Sequence, residues 1–180
     1  MEVCSWAAGR CRGVRGLASA DGALDVVTAN RDDGTISTLL NDGAGVYAAG
    51  VQTNAGARPI TVAIADIDED GLGDVFVVDQ STPGSIRTQR VFPGVRAPSA
   101  IDAGDVNGDG LIDLVTADAG GSIFLATSPG QWDVPRTYIA GRQLMWVTVA
   151  DTDGDGIDDI HTAGRDSNTV TILRKTGCID

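Results

Sequence analysis

The sequence predicts an all-β fold assembled from repeated units of three or four short antiparallel strands. Three observations lead there. An acidic, glycine-containing loop recurs along the chain, as "DIDEDGLGD" from Asp66, "DVNGDGLID" from Asp105 and "DTDGDGIDD" from Asp151. Runs of four to six residues rich in Val, Ile and Thr flank each copy, the composition of short strands. No segment carries a helical period, and 24 glycines in 180 residues point to many turns.

Taken in order, the chain opens with residues 1–16, "MEVCSWAAGRCRGVRG", in which Arg10, Arg12 and Arg15 interrupt the place where an apolar signal core would stand. No working signal peptide is read there, and the short basic "GVRGL" gives the first repeat no clear inner strand. A repeat array then runs over 17–175, followed by a short tail at 176–180. Its first loop, "LASADGALD" from Leu17, is degenerate. Aligned on their ninth residues the four loops lie at Asp25, Asp74, Asp113 and Asp159, which are 49, 39 and 46 residues apart. That spacing suits a unit of three or four strands, as in a propeller blade. "TVAIA", "SAIDAG" and "WVTVA" precede the intact loops and keep small residues (Ala63, Ala65, Gly104, Ala150) on one side, as crowding near a central axis requires. "VVTA", "VFVV", "LVTA" and "IHTA" follow the loops and are apolar at both parities, which fits a sheet buried on both faces. A third strand comes next in each unit, within "TISTLLN", "SIRTQRV", "SIFLAT" and "TVTILRK". "NDGAG" at 41–45 reads as a hairpin turn into "VYAAGVQ".

The composition excludes several functions. A formal charge of −12 argues against nucleic acid, whose phosphates need a basic surface. No apolar run approaches the ~18–20 residues of a membrane helix. Cys4, Cys11 and Cys178 form no CxxC pair and have no His neighbours, so zinc is not expected, and whether Cys4 or Cys11 bridges Cys178 is open. The single histidine, His161, has no motif around it that would make it catalytic and is expected to pack between blades. An enzyme is not expected.

The loops themselves carry the chemistry. In "DVNGDGLIDLVTAD", Asp105, Asn107 and Asp109 alternate, so their side chains converge on one point while Gly110 takes a turn a Cβ would obstruct. A helix and a closing Glu would follow in an EF-hand. Here Thr116 stands at the twelfth position, inside a predicted strand. Two carboxylates at ~4 Å repel by about 4 kcal/mol at an effective dielectric near 20, so loops this acidic call for a cation. One Asp-Gly-rich turn could form without ever meeting a metal; three with Asp restored at the ninth position are not explained that way.

This pattern, D-x-[DN]-x-[DN]-G-x-x-D between strands, resembles the FG-GAP and VCBS repeats of integrin-like β-propellers, as does the hairpin "TLLNDGAGVYAAG". The resemblance implies calcium in about three loops, with side-chain ligands at the first, third, fifth and ninth positions and a carbonyl at the seventh. On this chain these are Asp66, Asp68, Asp70, Asp74 and the Leu72 carbonyl; Asp105, Asn107, Asp109, Asp113 and the Leu111 carbonyl; Asp151, Asp153, Asp155, Asp159 and the Ile157 carbonyl. Five protein oxygens plus water reach the six to eight that calcium favours, and an all-oxygen set disfavours zinc or copper. The side chains of Leu72, Leu111 and Ile157 are expected to anchor their loops in the sheet. The degenerate loop has Leu17 and Ser19 at the first and third positions and is expected to bind none. The resemblance further implies an extracellular or cell-surface module for protein or glycan binding or adhesion. With four repeats at most, the expectation is a partial or open propeller of three to four blades, part of a larger propeller or completed by self-association. The alternative is the accessory carbohydrate-binding part of a secreted carbohydrate-active protein, with Trp132 in "SPGQWDVPRTY" stacking on a sugar; Trp132 covering an outer strand is the plainer role.

Overall fold

A computed structural model describes residues 11–16, 18–19, 21–80, 86–87, 98–138, 140 and 142–175, with 11–16 and 86–87 described by their backbone alone. Cys4 and Cys178, and with them the disulfide question, lie outside these residues. Every regular element among them is a strand, as expected, and every pairing is antiparallel. The chain divides into two compact units, Met1–Phe92 and Pro93–Asp180.

The first unit holds two blades. Strands β1 (Cys11–Gly16), β2 (Asp25–Asn30), β3 (Thr35–Leu39) and β4 (Val51–Asn54) form one sheet in chain order, and β5 (Pro59–Ala65), β6 (Asp74–Asp79) and β7 (Ile86–Arg87) form the next. The first repeat therefore does have an inner strand. "CRGVRG" lacks an alternating apolar pattern, yet all six of its residues pair with β2, from Cys11 opposite Asn30 to Gly16 opposite Asp25. Pairing with a strongly β-prone partner outweighs its weak local preference.

The second unit repeats the plan. Strands β8 (Ala100–Gly104), β9 (Asp113–Ala117), β10 (Ser122–Phe124) and β13 (Arg136–Thr137) make the third blade, and β14 (Leu144–Ala150), β15 (Asp159–Gly164) and β16 (Thr169–Leu173) the fourth. A two-stranded hairpin, β11 (Ala126–Ser128) and β12 (Gln131–Trp132), is inserted before β13.

One packing rule serves both units. Val27 and Ala29 of β2 bury against Val62 and Val77 of the following blade. Val115 and Ala117 of β9 bury against Val147 and Ile160 of the blade after it. In each case the residues two and four past the loop's ninth Asp meet the next sheet; β9 is buried at all five positions, so its opposite face is covered as well. Crowding on the inner strands is equally direct, since a Cβ at Gly104 would collide with the Asp158 carboxylate and the Val149 side chain.

Asp102 ties β8 to β14: its carboxylate accepts from the Val149 amide at 2.9 Å and the Thr148 hydroxyl at 3.0 Å. Burial raises its pKa above 3.8 against the pull of these bonds, and the charge of Asp158 adds to the rise. The folded chain thus holds this proton more tightly than the unfolded chain, so stability falls as pH rises from 3.8 through the raised pKa. Urea unfolding of calcium-free protein across pH 4–6 should show a shallower decline in Asp102→Asn than in the wild type, by up to ~1.4 kcal/mol per pH unit. Identical slopes would remove Asp102 from the account.

Candidate metal centres

Each acidic loop joins an inner strand to the next strand: residues 66–74 join β5 to β6, residues 105–113 join β8 to β9, and residues 151–159 join β14 to β15. The first-position carboxylate organises the turn. Asp66 accepts from the amides of Asp70 (3.1 Å) and Gly71 (2.9 Å). Asp105 accepts from Gly108, Asp109 and Gly110 at 2.6, 3.2 and 2.8 Å. Asp151 accepts from Gly154 at 2.7 Å and Gly156 at 3.0 Å, and these amides hold its pKa below the usual carboxylate range. The fifth-position carboxylate then takes the seventh amide, as Asp70, Asp109 and Asp155 do from Leu72, Leu111 and Ile157.

The sixth residue needs glycine for its backbone rather than for space. Gly71, Gly110 and Gly156 all have φ +86°, Gly22 of the degenerate loop has +78°, and a Cβ on any of them would meet nothing within 4 Å. The fourth position is also left-handed, with Gly108 at +76°, Gly154 at +81° and Glu69 at +60°. Glu69 is thus the strained member, an L-residue where the other two loops use glycine. Glu69→Gly should stabilise the first unit by about 1 kcal/mol in calcium-free denaturation, by relieving strain and removing a charge beside Asp68 and Asp70. A loss of stability would count against the strain.

The predicted ligands are brought together unequally. Asp66, Asp68 and Asp74 offer carboxylate oxygens within 4.8 Å of one another, and so do Asp151, Asp153 and Asp155. Both triads are hard oxygen donors and fit calcium, with no nitrogen or sulfur ligand among them. Burial raises the pKa of Asp74, and its neighbours Asp68, Asp70 and Asp66 push it further. A divalent cation would relieve that repulsion. Asp70 and Asp159 stand outside these triads. In the middle loop Asn107 and Asp109 hold each other, the Asn107 amide donating to Asp109 at 2.9 Å. There Asp113 is buried with both oxygens used, by the amides of Val106 (3.2 Å) and Ala126 (2.7 Å). Burial lifts its pKa to about 6, with Asp109 and Asp105 contributing.

Two features escaped the sequence reading. Asp25, the ninth residue of the degenerate loop, is fully buried and binds the amides of Ala18 (3.0 Å) and Asn41 (2.9 Å). The ninth carboxylate is therefore a tie between its own loop and a later strand end, a role that needs no metal and that its persistence in the degenerate copy signals. Cations from the chain's end also reach the loops. Arg174 lies 3.6 Å from Asp153 and 3.7 Å from Asp159, and Lys175 donates to the Asn107 carbonyl. The anchoring expected of the seventh residues needs correction: Leu72 is 42% exposed, while Leu111 and Ile157 are half-buried and Ile157 packs on Gly108 of the neighbouring loop. Trp132 is half-buried and donates its indole N–H to the Ile112 carbonyl at 3.1 Å, beside the middle loop. His161 is half-buried, and neither ring nitrogen has a hydrogen-bond partner among the described residues.

The sequence profile of the FG-GAP-like repeat matches residues 19–77 and 105–162, more than half of the chain. The chain belongs to the FG-GAP-like repeat family. The first matched segment takes in one intact acidic loop and most of the degenerate one, and the second takes in the other two intact loops. No curated protein matches the sequence. Among solved structures this FG-GAP-like chain is similar to a lectin of Agrocybe aegerita that recognises non-reducing terminal N-acetylglucosamine (TM-score 0.55, 21% identity, 94% of this chain and 54% of that one). It is similar also to the Vibrio cholerae biofilm matrix protein Bap1 (0.53, 18%, 91% and 27%) and to BBS1N in its complex with ARL6DN (0.56, 15%, 93% and 48%). These likenesses concern the fold. The FG-GAP-like chain spans about half the length of the lectin and of BBS1N, and about a quarter of Bap1.

Proposed function

We propose that this chain is a calcium-stabilised repeat module that binds a ligand at or outside the cell surface and carries no catalysis. The observation that carries the reading is the threefold recurrence of one amide-bound turn, which in two of the three loops brings three carboxylates within 4.8 Å of one another. The fold likeness to a lectin, a biofilm matrix protein and a protein captured with its partner supports a binding role. Titration calorimetry tests it. Calcium is expected to bind with about 0.1–1 mM dissociation constants, the range of extracellular modules, and magnesium more weakly. Asp109→Ala should remove one ion and Asp21→Ala none. No heat of calcium binding up to ~10 mM would end the reading.

A partner blade belongs to the same proposal. In the fourth blade Trp146, Val170 and Ile172 are 43%, 78% and 49% exposed. Trp146 pairs with Ala163, Ala163 with Val170, and His161 with Ile172, so they share one face. It corresponds to the face that Val115 and Ala117 of the third blade bury against the fourth. A further blade, from a second copy or from a longer chain, would cover it, and light scattering should show a mass that grows with concentration. A mass that stays monomeric at every concentration argues against the second copy.

The glycan alternative rests on the lectin likeness and on Trp132. Loss of glycan-array signal in Trp132→Ala would favour it, whereas unchanged binding would leave Trp132 as cover for the middle loop.

A further inference from the structure

Within the second unit a crevice of about 220 Å³ opens between the third and fourth blades. Val106, Ile123, Leu125, Ile160 and Leu173 line it. Tyr138 lines it too, but its hydroxyl is committed to the Thr116 carbonyl at 3.1 Å. The wall is therefore hydrocarbon. For scale, a dry aliphatic cavity of ~150 Å³ takes up benzene, so a ring or a branched side chain fits here.

The charge at this crevice runs opposite to that of the molecule. In a chain of net charge −12 with thirteen Lys and Arg, three cations line it: Arg136, Arg174 and Lys175. Arg174 is engaged with Asp153 and Asp159, and Lys175 with the Asn107 carbonyl. The one acid in the lining, Asp158, accepts from the Asp105 amide at 3.0 Å. Arg136, exposed on β13 opposite Ile123, has no ion-pair partner among the described residues.

We infer that this crevice binds a carboxylate carried on a compact hydrocarbon body, with Arg136 pairing the carboxylate and the aliphatic wall taking the body. Guanidinium is suited to this because its fork matches a carboxylate with two parallel hydrogen bonds. A sugar is disfavoured: most of its hydroxyls would be desolvated against the aliphatic part of the wall, and each unpaired one is costly. The ligand chemistry is shared by a free aryl or alkyl acid and by the C-terminus of a peptide ending in an apolar residue. The inference does not depend on the calcium reading.

Ligand-observed NMR and calorimetry on the full chain test it, with 3-phenylpropionate, its amide, and a short peptide ending in Phe with a free or amidated terminus. At least one free carboxylate should bind with a dissociation constant on the order of 1 mM, both amides should bind at least ~10-fold more weakly, and N-acetylglucosamine should not compete. Arg136→Gln should weaken the carboxylate ~10-fold with an unchanged melting curve, and Arg136→Lys should restore part of the loss. Preference for phenylpropionate identifies a small acid as the ligand source, and preference for the peptide a chain terminus. Equal binding of acid and amide, unchanged binding by Arg136→Gln, or no carboxylate binding at ~10 mM overturns the inference.

Discussion

About 2 mM calcium is expected to raise the melting temperature of the calcium-free chain by roughly 5–10 °C, with far less from magnesium at the same concentration. At the tight end of the extracellular range, a site with a dissociation constant near 0.1 mM gains about 2 kcal/mol from mass action at that concentration. The first unit has one intact loop and the second has two, so the second should gain more. The physical source is charge. Without a cation Asp74 is pushed toward protonation by burial and by Asp68, Asp70 and Asp66, and Asp113 is lifted to about 6 in the same way. A divalent ion turns that cost into attraction. Superimposable melting curves in calcium and in chelator would contradict this.

The second large effect is expected where no metal binds. Asp25→Ala should destabilise the first unit by about 3–5 kcal/mol while leaving the number of calcium ions unchanged. The substitution strands two amides, Ala18 and Asn41, at a fully buried carboxylate, and each stranded donor costs about 1–3 kcal/mol. The exposed Asp21, which accepts from the Ala23 amide, provides the contrast, and Asp21→Ala should shift stability by no more than about 0.5 kcal/mol. Asp113→Ala should lose both stability and an ion, because that residue joins the tie to the proposed ligand role. Urea midpoints measured beside calcium titrations separate the three variants, and a mild Asp25→Ala would show that the tie is dispensable.

These variants also mark what could be read from the sequence. The loops were legible because their signals are local: alternate oxygen donors, a glycine with positive φ at the sixth position, and Val-rich strands within a few residues. The tie made by the ninth Asp was not, because its partner amides lie far along the chain, at Asn41 sixteen residues beyond Asp25 and at Ala126 thirteen beyond Asp113. Inner strand β1 was hidden for a related reason, since "CRGVRG" is specified by its partner rather than by its own pattern. The approach of Arg174 and Lys175 to loops up to 68 residues earlier depends on two blades packing side by side, which no spacing rule conveys. Leu72 misled for the opposite reason. An apolar residue between acids looks like an anchor, but exposure is decided by what packs against it, and Leu72 is left 42% exposed.

Anomalous scattering from crystals grown in calcium would locate the bound ions themselves. Calcium peaks are expected inside the loops at 66–74, 105–113 and 151–159, each among the first-, third-, fifth- and ninth-position side chains and the seventh carbonyl, and none in the loop at 17–25. Absence of density from all three intact loops, or an ion bound by Asp21 and Asp25, would contradict this expectation.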